Sequence, residues 1–204
     1  MPTLGDEGRC FPDERSLALS GRVNWLLWLS YRPAVFSIGV AMELYEVMRT
    51  IFAARDFVDE PVSDELLARI LDNARFAPSG GNRQGWKVIV VRDDATRARL
   101  GELIEPGFQR YAAQVQAGEA PWNTINASAV SDETVAATKL PRGFVDKLTG
   151  APVVLLVFVD LSVVASFDSG LDRIGVISGG SIYPFAWNIL LAARNEGLGG
   201  TLTT

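Results

Sequence analysis

The sequence predicts an α/β (α+β) layer fold, with helices packed on both faces of a small sheet. Three observations carry this. Helical apolar stripes alternate with short β-branched runs, in the order helix, helix, strand, helix, irregular stretch, strand, helix. The run 151–160, Ala-Pro-Val-Val-Leu-Leu-Val-Phe-Val-Asp, is apolar almost throughout, which marks a strand covered on both sides. At 204 residues, 48% hydrophobic and 21% charged, the chain can close one domain core without disulfides or metals.

The elements follow in order. Residues 42–54 read as a helix, with Leu44, Val47, Met48, Ile51 and Phe52 on one stripe. Ser63 caps a second helix, with Asp64 and Glu65 in its first turn and Leu66, Leu67, Ile70, Leu71 and Ala74 at helical spacing; Pro78 ends it. Residues 86–91 form a strand, and Asp93 or Asp94 opens a third helix running to about Ile104. Between Pro106 and Gly150 the periodicity collapses into a lid or binding excursion. There Trp122 and Phe144 either shape access to a site or form a satellite cluster. Residues 180–196 carry the last helix, and Gly197 stops it.

Composition narrows the chemistry. There is no histidine, which removes Ser-His-Asp and Cys-His nucleophile systems and His-containing zinc sites. The single cysteine, Cys10, precludes an internal disulfide or a cysteine cluster. Nineteen Lys and Arg against 24 Asp and Glu give a net charge of −5, so nucleic acid is a poor partner. Scarce cysteine fits a reducing, cytoplasmic compartment. Glu43, Glu46, Asp56 and Glu60 read as a solvated acidic surface, and Trp25, Trp28 and Trp86 as packing residues.

Residues 1–41 are expected to be an N-terminal extension, dispensable for the core, with 42–204 the folded domain. The extension is charge-balanced, with Arg9, Arg15, Arg22 and Arg32 against Asp6, Glu7, Asp13 and Glu14. Its apolar stretch 23–41 is interrupted by Arg32-Pro33, too early for a simple membrane span. An upstream start and an interfacial anchor both remain open for it.

The most specific local signal is Ala77-Pro78-Ser79-Gly80-Gly81-Asn82-Arg83-Gln84-Gly85-Trp86. Ser79, Asn82 and Gln84 both donate and accept, which suits the alternating carbonyl and N–H edge of a flavin pyrimidine. An ordinary Ser/Gly/Asn turn has the same composition. The stretch resembles the signature loop of the FMN-dependent nitroreductase family: Ala-Pro-Ser, two variable residues, Asn, any residue, Gln, Pro, Trp. Ile51-Phe52-Ala53-Ala54-Arg55-Asp56-Phe57 followed by Pro61-Val62 is similar to the family's Arg-x-Ser-x-Arg-x-Phe and Pro-Val. Asn188-Ile189-Leu190-Leu191-Ala192-Ala193 followed by Gly197-Leu198-Gly199-Gly200-Thr201 resembles its late helix and Gly-Leu-Gly turn, and Thr201-Leu202-Thr203-Thr204 is nearest its dehalogenase-like bacterial subgroup. Ile51 and Ala53 stand where the family has Arg and Ser, and Gly85 where it has Pro.

The resemblance implies a three-layer α-β-α sandwich with a small mixed or antiparallel sheet. It implies a homodimer with FMN at the interface and a ping-pong cycle, NADH or NADPH reducing the flavin and a nitroaromatic, quinone or other electron-poor small molecule reoxidising it. Arg55 would hold the phosphate. Pro78, Ser79, Gly80, Asn82 and Gln84 would hold the ring or ribityl chain, and Gly199, Gly200, Thr201, Leu202 and Thr203 would line the reactive edge. No side chain is assigned as catalytic, because the cofactor carries the chemistry. The family's C-terminal segment, with a further basic phosphate ligand, would follow Thr204; either the sequence is a fragment or FMN is held more weakly. A catalytically silent flavin-binding relative and a membrane-tethered protein are the alternatives.

Overall fold

The computed structural model describes residues 23–31 and 42–204, so Cys10 and the rest of 1–41 lie outside the described residues, as does the Trp25 side chain. The centre is a four-stranded antiparallel sheet in the order β2-β3-β1-β4. Its strands are β1 (Val23–Tyr31), β2 (Trp86–Val91), β3 (Val153–Val159) and β4 (Leu198–Thr203).

Side chains alternate across this sheet with period two, and each set finds its own helical layer. Leu27 and Leu29 of β1, with Val153, Leu155, Val157 and Val159 of β3, pack on α2 (Asp64–Ala74) and α6 (Tyr183–Asn195). Leu26, Trp28 and Val154 turn the other way, toward Leu100, Ile104 and Phe108 of α3 (Asp94–Gln116) and Leu148 of α5 (Phe144–Thr149). Three layers result. Trp86 stacks on Phe185, rings 4.6 Å apart and 6° from parallel, and Trp28 is buried, so both are packing residues.

The N-terminal boundary needs correction. The stretch expected outside the core supplies β1, an inner strand paired on both sides, with Leu27 opposite Leu155 and Leu202. Leu27 and Leu29 are wholly buried. Nine mostly apolar residues bounded by Arg22 and Arg32 suit a strand that fills both faces of a sheet, and are too few for a membrane helix. Among the described residues no helix is long and apolar enough to cross a membrane.

Two further elements differ from the sequence reading. The first helix is only α1 (Leu44–Thr50), and the chain turns extended at Ile51. The reason is tertiary: Ala53 forms a parallel bridge with Gly200, and the Ala54 N–H donates to the Gly200 carbonyl at 3.0 Å. In the opposite sense, α3 runs through Pro106 to Gln116. Proline costs one backbone bond there, and the helix beyond it is held by Phe108, which meets Phe144 of α5 edge-on at 4.9 Å. The presumed irregular region therefore contains the end of α3, then α4 (Asp132–Ala137) and α5.

Capping was legible. The Ser63 hydroxyl accepts from the Leu66 N–H at 3.2 Å, and Asp93 accepts from Thr96 at 2.7 Å.

Candidate functional site

The loop after α2 folds on itself. The Asn82 N–H donates to the Ser79 carbonyl at 2.8 Å, and the Gln84 N–H to the Ser79 hydroxyl at 3.0 Å. Gly81, Asn82 and Gln84 all have positive φ, at 61°, 51° and 49°. A left-handed backbone costs a non-glycine residue about 1–2 kcal/mol, so the loop stores strain at Asn82 and Gln84. That strain turns two amide side chains outward, where the Gln84 amide donates to Asn82 Oδ1 at 3.1 Å. Ser79, Asn82 and Gln84 are thus brought together, as one exposed polar cluster.

Two residues that sequence reasoning missed hold this loop. Ser181, in the turn before α6, accepts from the Gly80 N–H at 3.2 Å. Asp168, only 2% exposed, takes the Val176 N–H at 2.7 Å and Arg173 at 2.8 Å, organising the segment that leads to Ser181. The Val176 N–H above all, then Arg173, holds its carboxyl down to about 2. Ser181 could not be found from local pattern, since it meets the loop from 101 residues away in sequence, whereas Asp168 bonds within its own segment. Gly85 has a packing reason: a Cβ there would lie 2.5 Å from Cγ2 of Val163.

Arg55 lies elsewhere. It follows the 53–54 segment that closes on β4, and its Nη1 reaches only the Ala53 carbonyl, at 3.4 Å. It lines a cavity of about 300 Å³ together with Asp56, Pro141, Arg142, Phe144, Lys147 and Leu148. Lys147 Nζ is 2.7 Å from Asp56, so that acid is paired rather than simply solvated. Trp122 stays half-exposed under the Arg110 guanidinium, apart from the cavity lining.

The strand-end residues are mostly covered. Gly199, Gly200 and Thr201 are buried, whereas Leu202 and Thr203 are partly open. A Cβ at Gly200 would lie 2.8 Å from Leu29 and Leu190 Cδ2 atoms, so close packing alone requires glycine there. The structure therefore joins Arg55 to Gly199 and Gly200 at one sheet edge and gathers Ser79, Gly80, Asn82 and Gln84 before the other. Those edges are three strand spacings apart, roughly 14 Å, and the register sets Gly200 opposite Leu29 but Trp86 level with Val23, roughly 20 Å further along the strands.

The sequence profile described as "Nitroreductase family" matches residues 49–204. The chain is 26% identical over 171 residues to a nitrobenzene nitroreductase of Ectopseudomonas oleovorans, covering 75% of this chain and 70% of that one. It is 38% identical over 65 residues to a putative NADH dehydrogenase/NAD(P)H nitroreductase of Archaeoglobus fulgidus (strain ATCC 49558), covering 32% of this chain and 37% of that protein. Most other curated relatives are likewise matched over less than two thirds of their length. Among solved structures, an oxidized iodotyrosine deiodinase bound to FMN and 3-iodo-L-tyrosine aligns with a TM-score of 0.48 and 22% identity, over 76% of this chain and 70% of that one.

Proposed function

The chain belongs to the nitroreductase family, and from that premise we propose that it is an FMN-dependent oxidoreductase. It would use NADH or NADPH to reduce a nitroaromatic, quinone or similar electron-poor small molecule in a ping-pong cycle. The carrying observation is the 79–84 loop, where three left-handed residues hold Asn82 and Gln84 at the surface. Backbone strain of this kind gathers at ligand sites, and an amide cluster matches a ring edge that both donates and accepts.

Ser79, Gly80, Asn82 and Gln84 offer the donors and acceptors that suit the flavin ring. Arg55, which the motif offers for the phosphate, stands at the opposite corner of the sheet, on a cavity shared with Arg142 and Lys147. When bound, FMN supplies hydride and electron transfer between a nicotinamide and the acceptor. The chain's own work is positioning: the loop fixes the ring edge, Ser181 fixes the loop, and Leu202 and Thr203 offer a partly open strand end. No protein acid or base is assigned, which accords with a sequence that has no histidine.

A homodimer belongs to the same reading. Leu44, Tyr45, Met48 and Phe52 stand exposed on and just after α1, and Tyr183 and Trp187 on neighbouring α6. Large apolar side chains gathered on neighbouring helices suit a protein–protein contact, and a second copy would cover them.

The test is a flavin titration of the full chain, followed by NADH or NADPH with a nitroaromatic or quinone acceptor. Saturable FMN binding with acceptor-dependent nicotinamide oxidation supports the reading. Bound FMN without nicotinamide oxidation would leave a silent flavin carrier, the reading favoured by the missing donors at Ile51 and Ala53. No flavin binding would refute both.

A further inference from the structure

We propose that Ser181 is a positioning residue for the flavin ring, and that Asp168 acts on the same ring through it. The inference rests on the flavin reading above and makes ring affinity depend on a segment, 160–181, that the loop motif does not contain.

The 79–84 loop needs a hold from outside. Left-handed residues such as Asn82 and Gln84 persist only where their surroundings over-determine them. Within the loop, the Asn82 and Gln84 N–H groups both close on Ser79, which fixes the loop's shape and not its place. Three ties fix its place, and all run to 160–181. The Asp160 N–H donates to the Gly85 carbonyl at 2.8 Å, Arg83 Nη1 to the Val163 carbonyl at 3.4 Å, and the Gly80 N–H to the Ser181 hydroxyl at 3.2 Å. The first two hold the end that enters β2. Among the described residues, Ser181 supplies the one hydrogen bond from outside the loop to its first half, two residues before Asn82.

Ser181 is itself fixed from both sides. After it, Ile182 and Phe185 are buried, and Phe185 stacks on Trp86, the first residue of β2. Before it, the 3₁₀ turn Ile177–Ser181 begins where Asp168 accepts the Val176 N–H at 2.7 Å and the Ile177 N–H at 3.4 Å. Arg173 grips the same carboxylate at 2.8 Å. Every hydrogen bond of Asp168 stays within 166–177, so its influence on the loop passes along the turn to Ser181.

The experiment compares Ser181→Ala, Ser181→Thr and Asp168→Asn in the full chain. Each is titrated by fluorescence with FMN, riboflavin and lumiflavin, which keeps the ring without the ribityl phosphate, and melting curves are recorded beside the titrations. Ser181→Ala should lose roughly three- to tenfold for all three flavins alike. Ser181→Thr keeps the hydroxyl and should recover most of that loss. Asp168→Asn should lose affinity in the wild-type background and little more in Ser181→Ala, the non-additivity of groups in one network. If Asp168→Asn does not fold, Arg173→Ala, half-exposed, loosens the same carboxylate and takes its place. At saturation the flavin's visible band should differ between wild type and Ser181→Ala, which a merely stabilising hydroxyl would leave alone. Unchanged flavin affinity in Ser181→Ala overturns the proposal, even with a lower melting temperature. So does a loss confined to FMN, or an equal loss in Ser181→Thr. Additive losses at the two positions overturn the part assigned to Asp168. A wild type that binds none of the three flavins contradicts the flavin reading itself, and the proposal falls with it.

Discussion

Asn82 and Gln84 are held in a conformation that costs energy, and that cost makes a prediction about ligands. If they grip the flavin ring, Asn82→Ala and Gln84→Ala should weaken FMN and riboflavin alike, each by roughly tenfold. Arg55→Ala should weaken FMN alone, by a similar factor. Parallel titrations with the two flavins check both. The variants of the loop should not be less stable than wild type where glycine replaces them, since Asn82→Gly and Gln84→Gly relieve a positive φ. Asp168 makes a separate prediction through pH. Its carboxyl is depressed to about 2, chiefly by the Val176 N–H and then Arg173. A depressed folded value contributes stability above the unfolded carboxylate range near 3.9, lost as pH falls through about 2. Asp168→Asn should lower the melting temperature at neutral pH and flatten its decline between about pH 4 and 2. An unchanged melting curve would show that Asp168 carries no such linkage. The loop 77–86 was legible because turn chemistry is local. Ser181, Arg142 and Lys147 were not, because only the folded chain brings them to the cluster or the cavity.

At the scale of elements, helical periodicity placed α2 and α6, and short β-branched apolar runs placed β2 and β3. It failed where tertiary contacts decide. Thr50 ends α1 because the next residues pair with β4, and α3 survives Pro106 because Phe108 docks on α5. The apolar stretch 23–41 reads as an anchor or an extension because the strand within it, buried on both faces, has no alternation to betray it. Its inner position makes the consequence testable. Leu27→Ala removes a wholly buried side chain lying between β3 and β4, and should cost about 2–5 kcal/mol. Removing residues 1–41 should prevent cooperative folding altogether, because β4 would lose its partner strand and β3 one edge. Denaturant unfolding of the two chains decides this. Equal stability of 42–204 and the full chain would show that β1 is dispensable.

For the whole molecule, the flavin and the exposed α1–α6 face belong to one equilibrium if the cofactor lies between two copies. A ligand that binds the dimer better than the monomer shifts association toward the dimer by mass action. Light scattering across protein concentration should therefore give a higher mass with excess FMN than without. Replacing Tyr45 and Trp187, both exposed on that face, by Ser should lower the mass in both conditions and release flavin. The same mass at every FMN concentration would mean that binding and association are independent.

One titration reaches the cofactor directly. Full-length apoprotein is titrated with FMN by fluorescence, and the loaded protein is then mixed with NADH or NADPH without oxygen. The prediction is saturable binding, followed by loss of the flavin's visible absorbance and its return on adding a nitroaromatic or quinone. A protein that takes up no FMN at any concentration would contradict it.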